Sequence, residues 1–129
     1  MIKLFEKFNN IQEVKNEILS KAINTYDIDV IDMFLEKGYD INGENILFLA
    51  TFDQDIFKNF IKRGANLETA IKNYYFKNRL KELEVQKLLI DLDKEQIIYD
   101  TVGFHWNLKD DPKYADTVQR YEDVKKYNL

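Results

Sequence analysis

The stretch Leu19–Asn45, LSKAINTYDIDVIDMFLEKGYDINGEN, constrains this chain more than any other. Leu19, Ala22 and Ile23 stand at helical spacing and give way to the polar pair Asn24-Thr25. A second apolar run, Val30, Ile31, Met33, Phe34 and Leu35, then ends at Gly38. Apolar residues three and four apart bury one helical face, and a glycine directly after such a run supplies the left-handed residue that stops a helix. The stretch therefore predicts two antiparallel helices, with Leu35 at the centre of their interface and a polar loop after Gly38.

The pattern recurs twice. Leu47 and Ala50 stand three apart like Leu19 and Ala22, and the run Ile56 to Ile61 ends at Gly64-Ala65-Asn66. Leu67 and Ala70 open a third unit, whose second helix is expected over Leu83–Leu92, with Leu92-Asp93-Lys94 where a glycine would stand. Between these lies the extension 72–80, read as a longer inner helix. From Gly38 to Gly64 the period is 26 residues, short of the roughly 33 of a full ankyrin repeat.

The block Val30-Ile31-Asp32-Met33-Phe34-Leu35-Glu36-Lys37-Gly38-Tyr39-Asp40-Ile41-Asn42, with Leu19 and Ala22 before it, resembles an ankyrin repeat. The resemblance covers residues 19–92. It implies an all-α solenoid of stacked helical hairpins with truncated fingers, one domain over residues 1–129. Residues 1–18 then form an N-terminal cap, 19–92 three degenerate repeats and 93–129 a C-terminal cap. The family's threonine-proline-leucine-histidine signature is missing from all three units. The resemblance further implies a protein-binding scaffold without catalysis.

Outside the repeats, Ile2, Phe5 and Phe8 share one helical face as a short lead-in, and Asn10 with Glu13 reads as a capping box that starts a helix at Ile11. Ile97, Ile98, Tyr99, Val102, Phe104 and Trp106 make residues 95–111 β-prone. Asp111 before Pro112 reads as a cap and first position of a last helix carrying Tyr114, Val118, Tyr121 and Val124.

With 45% hydrophobic and 33% charged residues the chain is neither disordered nor fibrous. It has no cysteine, so disulfides and thiolate metal sites are excluded. No apolar run is long enough for a membrane span and the start lacks a signal-peptide core, so a cytoplasmic protein is expected. Chemistry is poorly supplied. His105 is the sole histidine, Ser20 the sole serine, and the four glycines stand apart, so neither a catalytic site nor a cofactor or metal is expected. His105 reads as a packed or surface residue.

Residues 27–55 hold eight carboxylates against Lys37 alone, a net charge of −7. Such a block steers a basic partner or serves as a solvated face. Lys58 to Lys87 and Tyr74 to Phe76 would suit a nucleic acid, but the acidic balance opposes it. By matching to ankyrin inner helices and turns, the expected binding face holds Lys21, Asn24, Thr25, Phe52, Asp53, Lys72, Asn73 and Tyr75; Tyr39 and Arg79 join it as residue types frequent in interfaces, Asp29 and Asp55 through the acidic block, and Trp106 as an outlier. Phe52 and Tyr75 serve either as interface anchors or as core filling. The function expected is a small inhibitor or neutraliser of another protein, of toxin-immunity or phage anti-defence type, with an adaptor or a nucleic-acid binder as alternatives.

Overall fold

The computed structural model describes the backbone of residues 2–127 and the side chains of residues 10–125. Every regular element among them is helical. The chain divides into two compact units, residues 1–66 and 67–129.

The first unit contains α1 (Ile2–Asn24), α2 (Ile28–Glu36), α3 (Ile46–Ala50) and α4 (Gln54–Lys62). Here α1 packs against both α2 and α3, and α3 against α4. Leu19, Ala22 and Ile23 from α1, Ile31 from α2, Ile46, Leu47 and Ala50 from α3, and Ile56, Phe57, Phe60 and Ile61 from α4 are its buried apolar residues among those described. Two expectations are corrected. No break occurs at Asn10, because α1 runs through it without interruption; the face expected on residues 2, 5 and 8 lies outside the described side chains. Leu35 is half-buried, and Ile31, one turn earlier, occupies the centre of the α2 interface.

The ends of α2 and α4 are built alike. Gly38, at φ +89°, donates its N–H to the Leu35 carbonyl (3.0 Å), and the Tyr39 N–H reaches back to Phe34 (3.1 Å). Gly64, at φ +88°, pairs with Ile61 (3.0 Å), and Ala65 with Phe60 (3.1 Å). This paired pattern satisfies two carbonyls that a helix end leaves open, and it requires a left-handed residue. The rings of Phe34 and Tyr39 pack across the first stop, 4.9 Å between centroids.

Three long-range bonds align successive hairpins. The Asn16 amide donates to the Glu44 carbonyl (3.1 Å), the Asn59 amide to Asp32 (2.7 Å), and the Asn66 N–H to the Asn42 side chain (2.7 Å). Arg63 adds an ion pair to Asp32 at 2.9 Å. A Cβ at Gly43 would collide with the Asn16 side chain, so glycine there is a matter of close approach.

The second unit contains α5 (Leu67–Ala70), α6 (Tyr74–Arg79), α7 (Leu83–Asp91), α8 (Gln96–Thr101), a 3₁₀ helix (Trp106–Asp110) and α9 (Pro112–Tyr127). The long inner helix expected over 67–80 is two short helices. Asn73 takes extended backbone and its side chain accepts from the Tyr75 and Phe76 N–H groups (2.9 and 3.2 Å), so it starts α6 instead of continuing α5. The β-prone stretch is helical as well: α8 and the 3₁₀ helix occupy 96–110, and β-branched propensity yields to the burial of Ile98 and Leu108. Asp111 does cap α9, accepting from the Lys113 N–H at 3.0 Å with Pro112 first in the helix. Tyr114, Thr117 and Val118 are buried on that helix; Val124 is exposed.

At the end of α7, Asp93 replaces the expected glycine. It stands at φ +57°, donates to Ile90 (3.0 Å), and the Lys94 N–H reaches Leu89 (2.8 Å). The same stop is thus made with a Cβ in place. Gly38→Ala should cost about 1 to 2 kcal/mol through backbone conformation alone, since nothing lies within 4 Å of the added carbon. Asp93→Gly should raise stability by roughly 0.5 kcal/mol after the entropy of the freer glycine is subtracted. Denaturant titration of both variants checks the pair of opposite signs.

Candidate functional site

The turns that link the helices within each hairpin of the first unit repeat five residues. Thr25-Tyr26-Asp27-Ile28-Asp29 and Thr51-Phe52-Asp53-Gln54-Asp55 share a threonine, an aromatic ring, an aspartate, any residue and a second aspartate. The threonine and the first aspartate have one physical task in both copies, whereas the ring positions differ in backbone, Tyr26 standing at φ +58° and Phe52 not in the left-handed region. The threonine hydroxyls close the preceding helix by donating to the carbonyls of Ala22 and Phe48, each at 2.6 Å. The first aspartates cap the next helix: Asp27 accepts from the N–H groups of Asp29 and Val30 (3.1 and 3.3 Å), and Asp53 from that of Ile56 (3.0 Å). Such a cap contributes about 1 kcal/mol.

The remaining two positions face outward. Tyr26 is 57% and Phe52 53% exposed, and Asp29 and Asp55 are exposed in the first turns of their helices. Neither of these carboxylates forms a hydrogen bond or ion pair with a described residue. The pairs 16–44 and 32–59 that align the hairpins are 28 and 27 residues apart. Helices held at those offsets, with α1 packed on α3, place the two turns on one edge of the first unit.

The expected binding residues divide accordingly. Asn24, the last residue of α1, and Asp29, Phe52 and Asp55 lie in or beside these turns. Asp53 is a cap. Tyr39 is half-buried against Phe34, with the Lys15 ammonium 5.5 Å from its centroid, so its first task is to finish the α2 stop. In the second unit, exposed Lys72 precedes the Asn73 cap, and Tyr75 is 58% exposed, edge-on to Tyr74 at 5.9 Å. Arg79 is half-buried at the end of α6. Trp106, 73% exposed, stacks on His105 at 5.5 Å. Tyr26 was absent from the expected set. Its signal was the five-residue repeat at the period of 26 already visible between the glycines.

The acidic block is only partly available to a partner. Asp27 and Asp53 are caps, Asp40 accepts from the Asn42 N–H (2.9 Å), and Asp32 holds Asn59 and Arg63. Beside it, an open cleft of about 210 Å³ is lined by Gln12, Glu13, Lys15, Asn16, Asp40 and Glu44. No group of three metal-ligating side chains occurs among the described residues, and no described helix is long and apolar enough to cross a membrane.

In the second unit the chemistry-bearing side chains are structural. Gln86, 1% exposed, donates from Nε2 to the carbonyls of Leu80 (2.8 Å) and Gly103 (3.1 Å) and accepts from the His105 N–H (2.7 Å). Two carbonyls and one N–H admit only one orientation of the amide. His105 Nδ1 accepts from the Asn107 N–H at 3.1 Å and starts the 3₁₀ helix. Gln86 was not singled out in the sequence, although its place three and four residues before Leu89 and Ile90 puts it on the buried stripe.

Compared with protein-family models, curated proteins and solved structures, the chain matches none.

Two predictions concern the second unit. Gln86→Leu keeps the volume but leaves three backbone groups unsatisfied, and should cost about 3 kcal/mol or more in denaturant titration; a loss below about 1 kcal/mol would refute the hub. The second prediction concerns alkaline pH. Tyr121, packed between Tyr99 and Phe104 at 5.0 and 5.3 Å, is held above the ordinary phenol range by burial and then by the Glu95 charge. The Lys113 ammonium is raised first by its bond to Asp91 and then by Tyr114. Both groups bind protons more tightly when folded, so their contributions are complete below the unfolded values and fade as pH rises through the folded ones. Stability should fall above about pH 10, less steeply in Tyr121→Phe, as melting curves across pH 8 to 11 would record.

Proposed function

We propose that this protein is a non-enzymatic, ankyrin-like binding module that neutralises a basic partner protein, in the manner of a toxin-immunity protein or a phage inhibitor of host defence, within the cytoplasm. The observation that carries the reading is the pair of turns in the first unit, each with an exposed ring three residues before an exposed carboxylate. Aromatic side chains are frequent anchors of protein interfaces, and a patch of one charge speeds encounter with a partner of the other. Repetition of the helix stop at residues 38, 64 and 93 supports the relation to helical repeats. In such architectures successive turns form one recognition edge.

The test is capture of partners on the tagged chain from its source cell at low and high salt, followed by titration of the captured protein's own activity. A 1:1 complex that weakens with salt and loses its activity at equivalence is expected. Undiminished activity at equivalence would make the protein an adaptor, and recovery of nucleic acid alone would overturn the reading.

A further inference from the structure

We infer that the second unit carries a separate site for single-stranded nucleic acid on the outward face of α6, with Tyr74 as the stacking platform and Lys77 and Lys81 as the phosphate contacts. The inference does not depend on the protein-binding reading, which concerns the turns of the first unit. It begins from charge. Between Glu68 and Glu82 the chain has no carboxylate and four cations, Lys72, Lys77, Arg79 and Lys81. The acidic balance that opposes nucleic acid in the chain as a whole is therefore reversed over these residues.

The helix sorts its side chains by face. Phe76 and Leu80, four residues apart, are buried and fix the inward side of α6. Tyr74, Lys77 and Lys81 follow each other at steps of three and four and are all exposed. At about 100° per residue their mean direction lies roughly 110° from the buried pair. Leu80 keeps helical backbone and the Lys81 N–H bonds to the Asn78 carbonyl at 3.2 Å, so the curl of α6 carries on through Lys81. Neighbours at this spacing have Cβ atoms about 5 to 6 Å apart. The ring and the two ammonium groups thus share one strip about 10 Å long.

This strip has room for a ligand. Tyr74 is 72% exposed, and its ring meets that of Tyr75 edge-on at 5.9 Å. One edge contact covers at most one face of a ring, and at this exposure the other face is open to solvent. Neither the Lys77 nor the Lys81 ammonium forms an ion pair, hydrogen bond or ring contact among the described residues. An unpaired base has a flat face to stack on the phenol ring, and its phosphates meet the two ammonium groups. A duplex keeps its base faces inside its own stack, and an acidic peptide brings charge without a face to stack.

The probe is a fluorescently labelled deoxythymidine oligomer of about 16 nucleotides, titrated with the full chain by anisotropy at low salt. It is compared with a duplex of equal length and a polyglutamate peptide of equal charge. The oligomer should bind at least about threefold more tightly than either. Tyr74→Leu, which keeps apolar bulk without a π face, should weaken it at least about fivefold, and Tyr74→Trp should retain binding. Tyr26→Leu, at the 57% exposed ring of the first unit, should change it less than about twofold. Lys77→Gln with Lys81→Gln should reduce the slope of log affinity against log salt by about 1.4, the value for two phosphate contacts on a single strand. The charge-matched Lys94→Gln with Lys125→Gln, at exposed lysines elsewhere in the unit, should leave the slope unchanged. Circular dichroism confirms the fold of each variant.

Duplex or polyglutamate bound as tightly as the oligomer, undiminished affinity in Tyr74→Leu, or equal slopes in the two lysine pairs would reduce the strip to an undirected basic patch and overturn the inference. Absence of oligomer binding would overturn it outright. None of these outcomes touches the protein-binding reading, which stands or falls on capture of a partner and titration of its activity.

Discussion

A helix that must end and let the chain turn back leaves carbonyls without donors, and the solution adopted at residues 38, 64 and 93 governs much of this molecule. In each case one left-handed residue swings two successive N–H groups back onto the last turn. The chain leaves each helix in a determined direction, which places the loop that follows. At Gly38 this direction lays Tyr39 against Phe34 and delivers Asp40, Asn42 and Gly43 to the side of α1, where Asn16 meets the Glu44 carbonyl. The short loops therefore need no long hairpin: Asn42 carries a bond to the next loop, at Asn66.

The two units answer the same demand for buried polar partners differently. In the first, alignment comes from side chains at the edge of the hairpins, with Asp32 shared between Asn59 and Arg63. A partly exposed ion pair of this kind contributes little energy by itself, about 0 to 1 kcal/mol, but its geometry fixes which residues stand opposite. In the second unit the loop between α8 and the 3₁₀ helix lies against the end of α6. The buried amide of Gln86 joins the two, bonding Leu80 and the backbone on either side of Phe104. An interior amide with three partners discriminates strongly against any other arrangement, because each group left without one costs about 1 to 3 kcal/mol.

The same economy shapes the surface. Of the eight acids in residues 27–55, five (Asp27, Asp32, Glu36, Asp40 and Asp53) hold backbone or neighbouring side chains, so the net charge of the block overstates what a partner meets. What remains is organised by the turns. A threonine ends one helix, an aspartate begins the next, and the residues beside them are left facing outward with a ring and a second carboxylate. Structure and proposed recognition thus occupy alternate positions of one short motif.

Helical class, the first hairpin, the glycine stops and the Asp111-Pro112 start were legible in the sequence because each depends on local physics: apolar spacing of three and four, a residue that tolerates positive φ, and a side-chain cap. Part of the candidate surface was legible too, Phe52 through its match to a repeat turn and Asp29 and Asp55 through the acidic block, since both need only the sequence. Other features were decided only by tertiary structure. Asn73 breaks the helix expected over 67–80, and local preference is close to neutral between capping and continuing until Phe76 and Leu80 find their burial. Residues 96–101 are helical despite β-branched and aromatic side chains, because strand propensity reflects packing against a neighbour that this fold does not provide. Ile31 takes the interface centre in place of Leu35, a choice between two apolar residues of one run that only the packing of α1 on α2 makes. Spacing along the chain determines which residues share a face; only the packed neighbours determine how far that face is buried.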